Sequence, residues 1–186
     1  RVLEDNNRPI LQGKKTVKDI SELMEKRREK YEMAADIVLE TDDKSIQEIC
    51  RGLVGKSVLD MYSGCGTFSM FLADYFEKLT LVEHNRDALV FAEQNLAGIK
   101  HESFGLSGAK WAESNKDSYF DAVVIDPPRS GMELEVRKYL CSSKIPQIRS
   151  VSCDPATLAR DLKLFAEKGY NTNKAQTVDM FCQTGH

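Results

Sequence analysis

Cys153 stands in the segment Val151-Ser152-Cys153-Asp154-Pro155-Ala156-Thr157-Leu158, at the end of an apolar run and inside a turn anchored by proline. A thiol at a strand end, backed by a rigid turn, is where a nucleophile would sit. Taken alone, a cysteine favours the plainer reading of a small buried core residue. Upstream, the run Ala122-Val123-Val124-Ile125 ends in Asp126-Pro127-Pro128-Arg129-Ser130-Gly131, an acid followed by a rigid turn. Val58-Leu59-Asp60-Met61-Tyr62-Ser63-Gly64-Cys65-Gly66 makes a third strand-to-loop end. Three such ends in one chain suggest an open α/β sheet whose strand ends share one crevice.

Gly64 and Gly66 follow the first of these strands and precede a helix, so the chain can turn tightly and bring backbone N–H groups near a ligand. Gly-x-Gly alone is a weak signal, because any fold of this class can use it simply to turn. Glu83 ends the next strand, about 20 residues further on, where an acid can accept hydrogen bonds from ribose hydroxyls. The plain alternative for Glu83 is a solvated acid at a strand end. A dinucleotide is disfavoured, since Ser69 takes the place of the third glycine and no pyrophosphate-binding loop is evident. A nucleoside-bearing cofactor without phosphates fits better, and S-adenosylmethionine is the candidate. Tyr62 then lines its amino-acid end and Thr67 lies within hydrogen-bonding reach.

The elements that must position these residues alternate from Lys56 onward. The pattern predicts strands at 57–61, 79–83, 101–106, 120–126 and 147–152, helices at 67–76, 86–97, 133–141 and 155–168, and a last strand near 174–180. The segment 107–119 is a weak connection. A repeated strand–helix register predicts a Rossmann-like, doubly wound and mostly parallel sheet. Before it, Thr16 to about Glu40 reads as a charged helix, and Ser45 is placed to cap a second helix from Ile46 to Leu53, with Glu48 at the capping-box spacing.

The 186 residues, 41% hydrophobic and 30% charged, suit an ordinary globular domain with a core. A net charge of −3 argues against a strong RNA clamp, because tight phosphate binding needs clustered Lys and Arg. The five cysteines include no Cys-x-x-Cys pair and the three histidines are scattered, so neither a disulfide framework nor a metal site is expected. With no apolar stretch beyond strand length and no signal-peptide layout at the start, a cytoplasmic protein without a membrane span is the expectation.

From about Lys56 to His186 the chain resembles the S-adenosylmethionine-dependent uridine C5 methyltransferases of tRNA and rRNA. The resemblance rests on Asp60-Met61-Tyr62-Ser63-Gly64-Cys65-Gly66-Thr67-Phe68, the Asp126 to Gly131 segment, Ser152 to Asp161, and Asp179 to His186, in the family's order. It implies a class I methyltransferase fold, an RNA substrate, cofactor contacts at Tyr62, Thr67, Glu83 and Asp126, and Cys153 as the nucleophile. Arg129 becomes a candidate to orient the base or a phosphate, with a helix-end ion pair as the alternative. The chain departs from the family in lacking a Phe-x-Gln-x-Asn segment before Lys56, in having Asp154 where asparagine is usual, and in having Cys182 for proline. The family's catalytic base, a glutamate two residues past the motif histidine, falls beyond His186, so the expectation is a domain truncated at its C-terminus and lacking its last strand.

Asn7-Arg8-Pro9-Ile10-Leu11 with Tyr31, Ala34-Ala35-Asp36 and Ser45-Ile46-Gln47-Glu48-Ile49 resembles the C-terminal tail of shikimate kinases, where the arginine corresponding to Arg8 binds the shikimate carboxylate. No P-loop is present to support kinase chemistry. The organisation expected is therefore a helical segment 1–52 joined to a methyltransferase domain 53–186. Two other functions stay open: an amine methyltransferase of the same fold, though its usual Asn-Pro-Pro-Tyr/Phe is absent, and a cofactor-binding remnant or composite fragment without full turnover.

Overall fold

A computed structural model describes residues 45–175 of the chain. The helix expected at Thr16–Glu40, Arg8, and the motif Asp179–His186 lie outside the described residues, as does the strand expected near 174–180, apart from the irregular Lys174 and Ala175.

Eleven elements follow one another here: α1 (Ser45–Cys50), β1 (Ser57–Met61), α2 (Thr67–Leu72), β2 (Lys78–Val82), α3 (Arg86–Asn95), β3 (His101–Phe104), α4 (Gly108–Ser114), β4 (Ala122–Ile125), α5 (Leu134–Ser143), β5 (Gln147–Ser150) and α6 (Pro155–Glu167). Among the described residues the five strands form one parallel sheet in the order β3-β2-β1-β4-β5. The central strand β1 pairs Leu59 with Thr80 on one side and Val123 on the other.

Parallel strands covered on both faces read as near-continuous apolar runs, and Ala122–Ile125 is buried throughout. Alternate residues face opposite sides. Leu59, Met61, Val123 and Ile125 pack with Trp111 of α4, Val136 and Leu140 of α5, and Phe165 of α6. Val58, Leu79, Leu81, Ala122 and Val124 pack with Cys50, Leu53, Leu72 of α2, and Ala92 of α3. The sheet is doubly wound, and this is the Rossmann-like arrangement the alternating pattern predicts.

The departures are at the element ends and in one helix. The first helix stops at Cys50 rather than Leu53, and Leu53 turns into the core instead. Helix α2 ends at Leu72 rather than residue 76, and most strands stop one or two residues early. The weak connection 107–119 contains α4, which buries Trp111 and Ala112 and is capped by Ser107 accepting from the Lys110 N–H. Seven residues span too few turns for an apolar period to emerge from the sequence.

Order β3-β2-β1-β4-β5 makes the chain reverse direction at β1, where β2 lies on one side and β4 on the other. Ligands in open α/β sheets bind outside the carboxyl ends of the strands at such a switch point. Tyr62, Glu83, Asp126 and Cys153 all lie just beyond strand ends, after β1, β2, β4 and β5 respectively.

Candidate active site

The turn after β1 is fixed by its own backbone. The N–H groups of Tyr62 and Ser63 both donate to the Val82 carbonyl, at 2.9 and 3.1 Å, tying the turn to the end of β2. Tyr62 adopts φ +64°, an uncommon left-handed conformation for a side chain of this size, and Gly64 and Gly66 follow at +55° and +77°.

Gly66 is the N-cap of α2 and has no side chain to satisfy the helix's first amides. Asp60 on β1 takes that role, its Oδ2 accepting from the Ser69 N–H at 3.1 Å and the Ser69 hydroxyl at 2.7 Å. Asp60 is fully buried, and loss of hydration pushes its pKa up to about 7 against the opposing pull of the Ser69 hydrogen bonds. Its other oxygen, Oδ1, has no hydrogen-bond partner among the described residues, and neither has the buried Ser63 hydroxyl.

Glu83 is buried at 8% exposure and ties two elements together. Its Oε2 accepts from the Gly64 N–H at 2.9 Å, and its Oε1 from the Asn85 N–H at 2.7 Å. His84 Nδ1 lies 3.1 Å from the same Oε1. Asn85 in turn caps α3, accepting from the Asp87 and Ala88 amides.

A cavity of about 440 Å³ opens at these strand ends. Tyr62, Glu83 and Asp126 line it together, with Leu106, Ser107 and Gly108 from the loop after β3 and Pro128, Ser130 and Gly131 from the loop after β4. Desolvation pushes the Asp126 pKa above the usual carboxylate range.

A residue that the sequence reading missed completes the wall. Glu133 also lines the cavity, and although it is the N-cap of α5 its carboxylate makes no bond to its own helix. Glu133 Oε2 instead accepts from the Tyr62 hydroxyl at 3.2 Å and from the Ala109 N–H at 3.0 Å, while the Glu133 N–H donates to the Tyr62 hydroxyl at 3.2 Å. Tyr62 is thus both donor and acceptor in a closed ring, and burial pushes its pKa upward. The only sequence signal is an acid ahead of a helix, which reads as an ordinary cap.

The other sequence candidates are not among the residues that line this cavity. Gly64 and Gly66 shape the turn, and the Thr67 hydroxyl lies 3.3 Å from the exposed Cys65 thiol. Arg129 is exposed on the loop between Pro128 and Ser130. Cys153 is a half-buried free thiol in the turn between β5 and α6. That turn is held firmly: the Ser152 hydroxyl bonds to the Asp154 backbone, and Asp154 caps α6 by accepting from the Thr157 N–H at 2.8 Å. No cluster of three or more metal-ligating side chains occurs among the described residues, and no described helix is long and apolar enough to cross a membrane.

Residues 28–141 match the methyltransferase small domain family, and residues 110–186 match the family described as tRNA (uracil-5-)-methyltransferase. An uncharacterized RNA methyltransferase of Treponema denticola is 39% identical over 166 residues, covering 80% of this chain and 41% of its own length. The 23S rRNA (uracil(1939)-C(5))-methyltransferase of Psychrobacter arcticus is 39% identical over 144 residues, covering 71% of this chain and 27% of its own. The crystal structure of the Pyrococcus abyssi tRNA (uracil-54, C5)-methyltransferase in complex with S-adenosyl-L-homocysteine superposes with a TM-score of 0.55 at 31% identity, over 69% of this chain and 33% of that one. The chain spans less than half the length of each of these relatives. The chain belongs to the methyltransferase small domain family, and its C-terminal part is similar to the tRNA (uracil-5-)-methyltransferase family.

Proposed function

We propose that the chain is the catalytic domain of an enzyme that methylates C5 of a uridine in tRNA or rRNA, using S-adenosylmethionine and the Cys153 thiolate. One observation carries the reading: a cavity walled by Glu83, Asp126 and Glu133 opens at the strand ends that also present the Cys153 turn. The cavity suits the cofactor. Its volume lies in the range of small-molecule sites, its carboxylates complement a sulfonium and an ammonium, and Asp60 Oδ1 and the Ser63 hydroxyl, from the strand end and turn that carry Tyr62, are buried without hydrogen-bond partners among the described residues. In this reading Glu83 accepts from the ribose hydroxyls, the Tyr62 to Thr67 turn with Gly64 and Gly66 holds the amino-acid end, and Asp126 contacts the cofactor from the opposite side.

When bound, the cofactor supplies an electrophilic methyl group. The chain's task is to make C5 of uracil nucleophilic, which the aromatic-like ring resists. Thiolate addition forms an S–C6 bond and moves the C5–C6 π electrons onto the C4 oxygen as an enolate, so that C5 can accept the methyl. A general base, a glutamate in the family that this chain resembles, then takes the C5 proton, the C5–H pair re-forms the C5–C6 double bond, and the S–C6 pair leaves with sulfur to free the Cys153 thiolate. The turn fixed by Ser152 and Asp154 holds the thiol at one place through both steps, and Arg129 serves to orient the base or a neighbouring phosphate.

The test is covalent trapping with RNA containing 5-fluorouracil, whose C5 fluorine cannot leave as a proton, so the adduct persists. Incubated with cofactor, the parent chain should yield a protein–RNA adduct stable to denaturation, and Cys153→Ala none. Equal adduct in both proteins would remove Cys153 from the mechanism.

A further inference from the structure

The geometry points to Arg160 as a phosphate contact for the RNA, held at the rim of the cleft by a buried carboxylate; this inference rests on the RNA-methylation reading above. Asp161 lies on α6 at 2% exposure. Its Oδ1 takes Arg160 Nε at 2.9 Å and Arg160 Nη2 at 2.9 Å, while Arg137 of α5 approaches the same oxygen at 3.7 Å. A buried carboxylate is stable only when its charge is matched, so Asp161 fixes the guanidinium that matches it. Arg160 nonetheless keeps 44% of its side chain exposed.

The direction in which it is held matters. The guanidinium lies over Gly131, where any Cβ would collide with it, and Gly131 lines the cavity. An anchored cation therefore stands at the lip of a cleft whose walls carry Glu83, Asp126 and Glu133. Those carboxylates suit a cationic cofactor but repel a polyanion, in a chain whose net charge is already −3. A uridine can enter only if the phosphates flanking it find a local cation. The arginine fork suits a phosphate, and prior immobilisation by Asp161 lowers the entropy lost on contact.

The test measures affinity for one uridine-containing RNA hairpin by fluorescence anisotropy over a series of potassium chloride concentrations. Arg160→Gln should weaken binding at low salt and reduce the slope of log affinity against log salt by about one unit, since one fewer counterion is released. Arg160→Lys, which keeps the charge, should restore the slope, and affinity for S-adenosylhomocysteine should be unchanged in both. If Arg160 only braces the fold, Arg160→Gln will lower the melting temperature and the S-adenosylhomocysteine affinity while the salt slope stays at the parent value, and that outcome overturns the proposal. Absence of salt-dependent RNA binding by the parent also overturns it. The methylation reading is judged separately by the 5-fluorouracil adduct: an altered slope without any adduct upholds the phosphate contact and defeats the chemistry, and an adduct with an unaltered slope does the reverse.

Discussion

Glu83 takes backbone N–H groups from Gly64 and Asn85, so its carboxylate is oriented before any ligand arrives. If Glu83 accepts from the ribose hydroxyls as proposed, Glu83→Ala should weaken S-adenosylhomocysteine binding by about 1.5–3 kcal/mol, or roughly tenfold to a hundredfold, in isothermal titration. Asp60 gives a second expectation. Its pKa in the folded chain is about 7 against an ordinary 3.8, so between those values the folded state retains a proton that the unfolded state has released. The contribution of Asp60 to stability is then largest at low pH and falls as pH rises through this window, by up to about 1.4 kcal/mol per pH unit, levelling off above the folded pKa. Urea midpoints measured across the window should show that slope in the parent and a flatter profile in Asp60→Asn, whose amide oxygen can still accept from Ser69. Glu83, Tyr62 and Asp126 were legible in the sequence because each directly follows an apolar strand. Glu133 was not, since its partner Tyr62 is 71 residues away and only the folded chain brings them together.

At the level of elements, the loop after β3 and helix α4 form a wall of the site because Gly108 lets Glu133 and Tyr62 approach closely. A Cβ at Gly108 would stand 2.6 Å from Glu133 Oε2, 2.8 Å from a Val136 methyl and 3.1 Å from the Tyr62 hydroxyl. Gly108→Ala should cost about 1–3 kcal/mol by overpacking and should weaken S-adenosylhomocysteine binding as well, because it pushes on the ring that fixes Tyr62; thermal melts and calorimetry together would show both effects. The strands and most helices were readable from period and punctuation. Helix α4 was not, because its main claim to a place in the fold is Trp111, packed against Phe104, Phe120 and Tyr139 at centroid distances of 6.3, 6.0 and 5.4 Å. Those partners come from three other parts of the chain, and a single aromatic residue in a short polar stretch carries no period. The start of α2 at Thr67 was read correctly although its cap comes from Asp60 on a neighbouring strand, whereas its end was set at residue 76 because the apolar pattern runs on to Phe76, which is buried beyond the helix end at Leu72.

For the whole molecule, a ligand that binds only the folded state raises the free energy of unfolding in proportion to the logarithm of one plus the ratio of its free concentration to its dissociation constant. S-adenosylhomocysteine at a hundred times its dissociation constant should stabilise the parent by about 2.7 kcal/mol in chemical denaturation, and the same concentration should stabilise Glu83→Ala much less. No gain in the parent would count against the cavity as the cofactor site. The sheet order has a further consequence during synthesis. Among the described strands β1 is made first but pairs on one side with β4, and the contact that opens this pairing, Ser57 with Asp121, spans 64 residues. A nascent chain that has left the ribosome only as far as β3 thus holds Leu59 and Met61 without their covering helices and one edge of its central strand bare. Such an edge is a template for pairing with other chains, so the interval of translation between β3 and β4 leaves this edge open to such pairing.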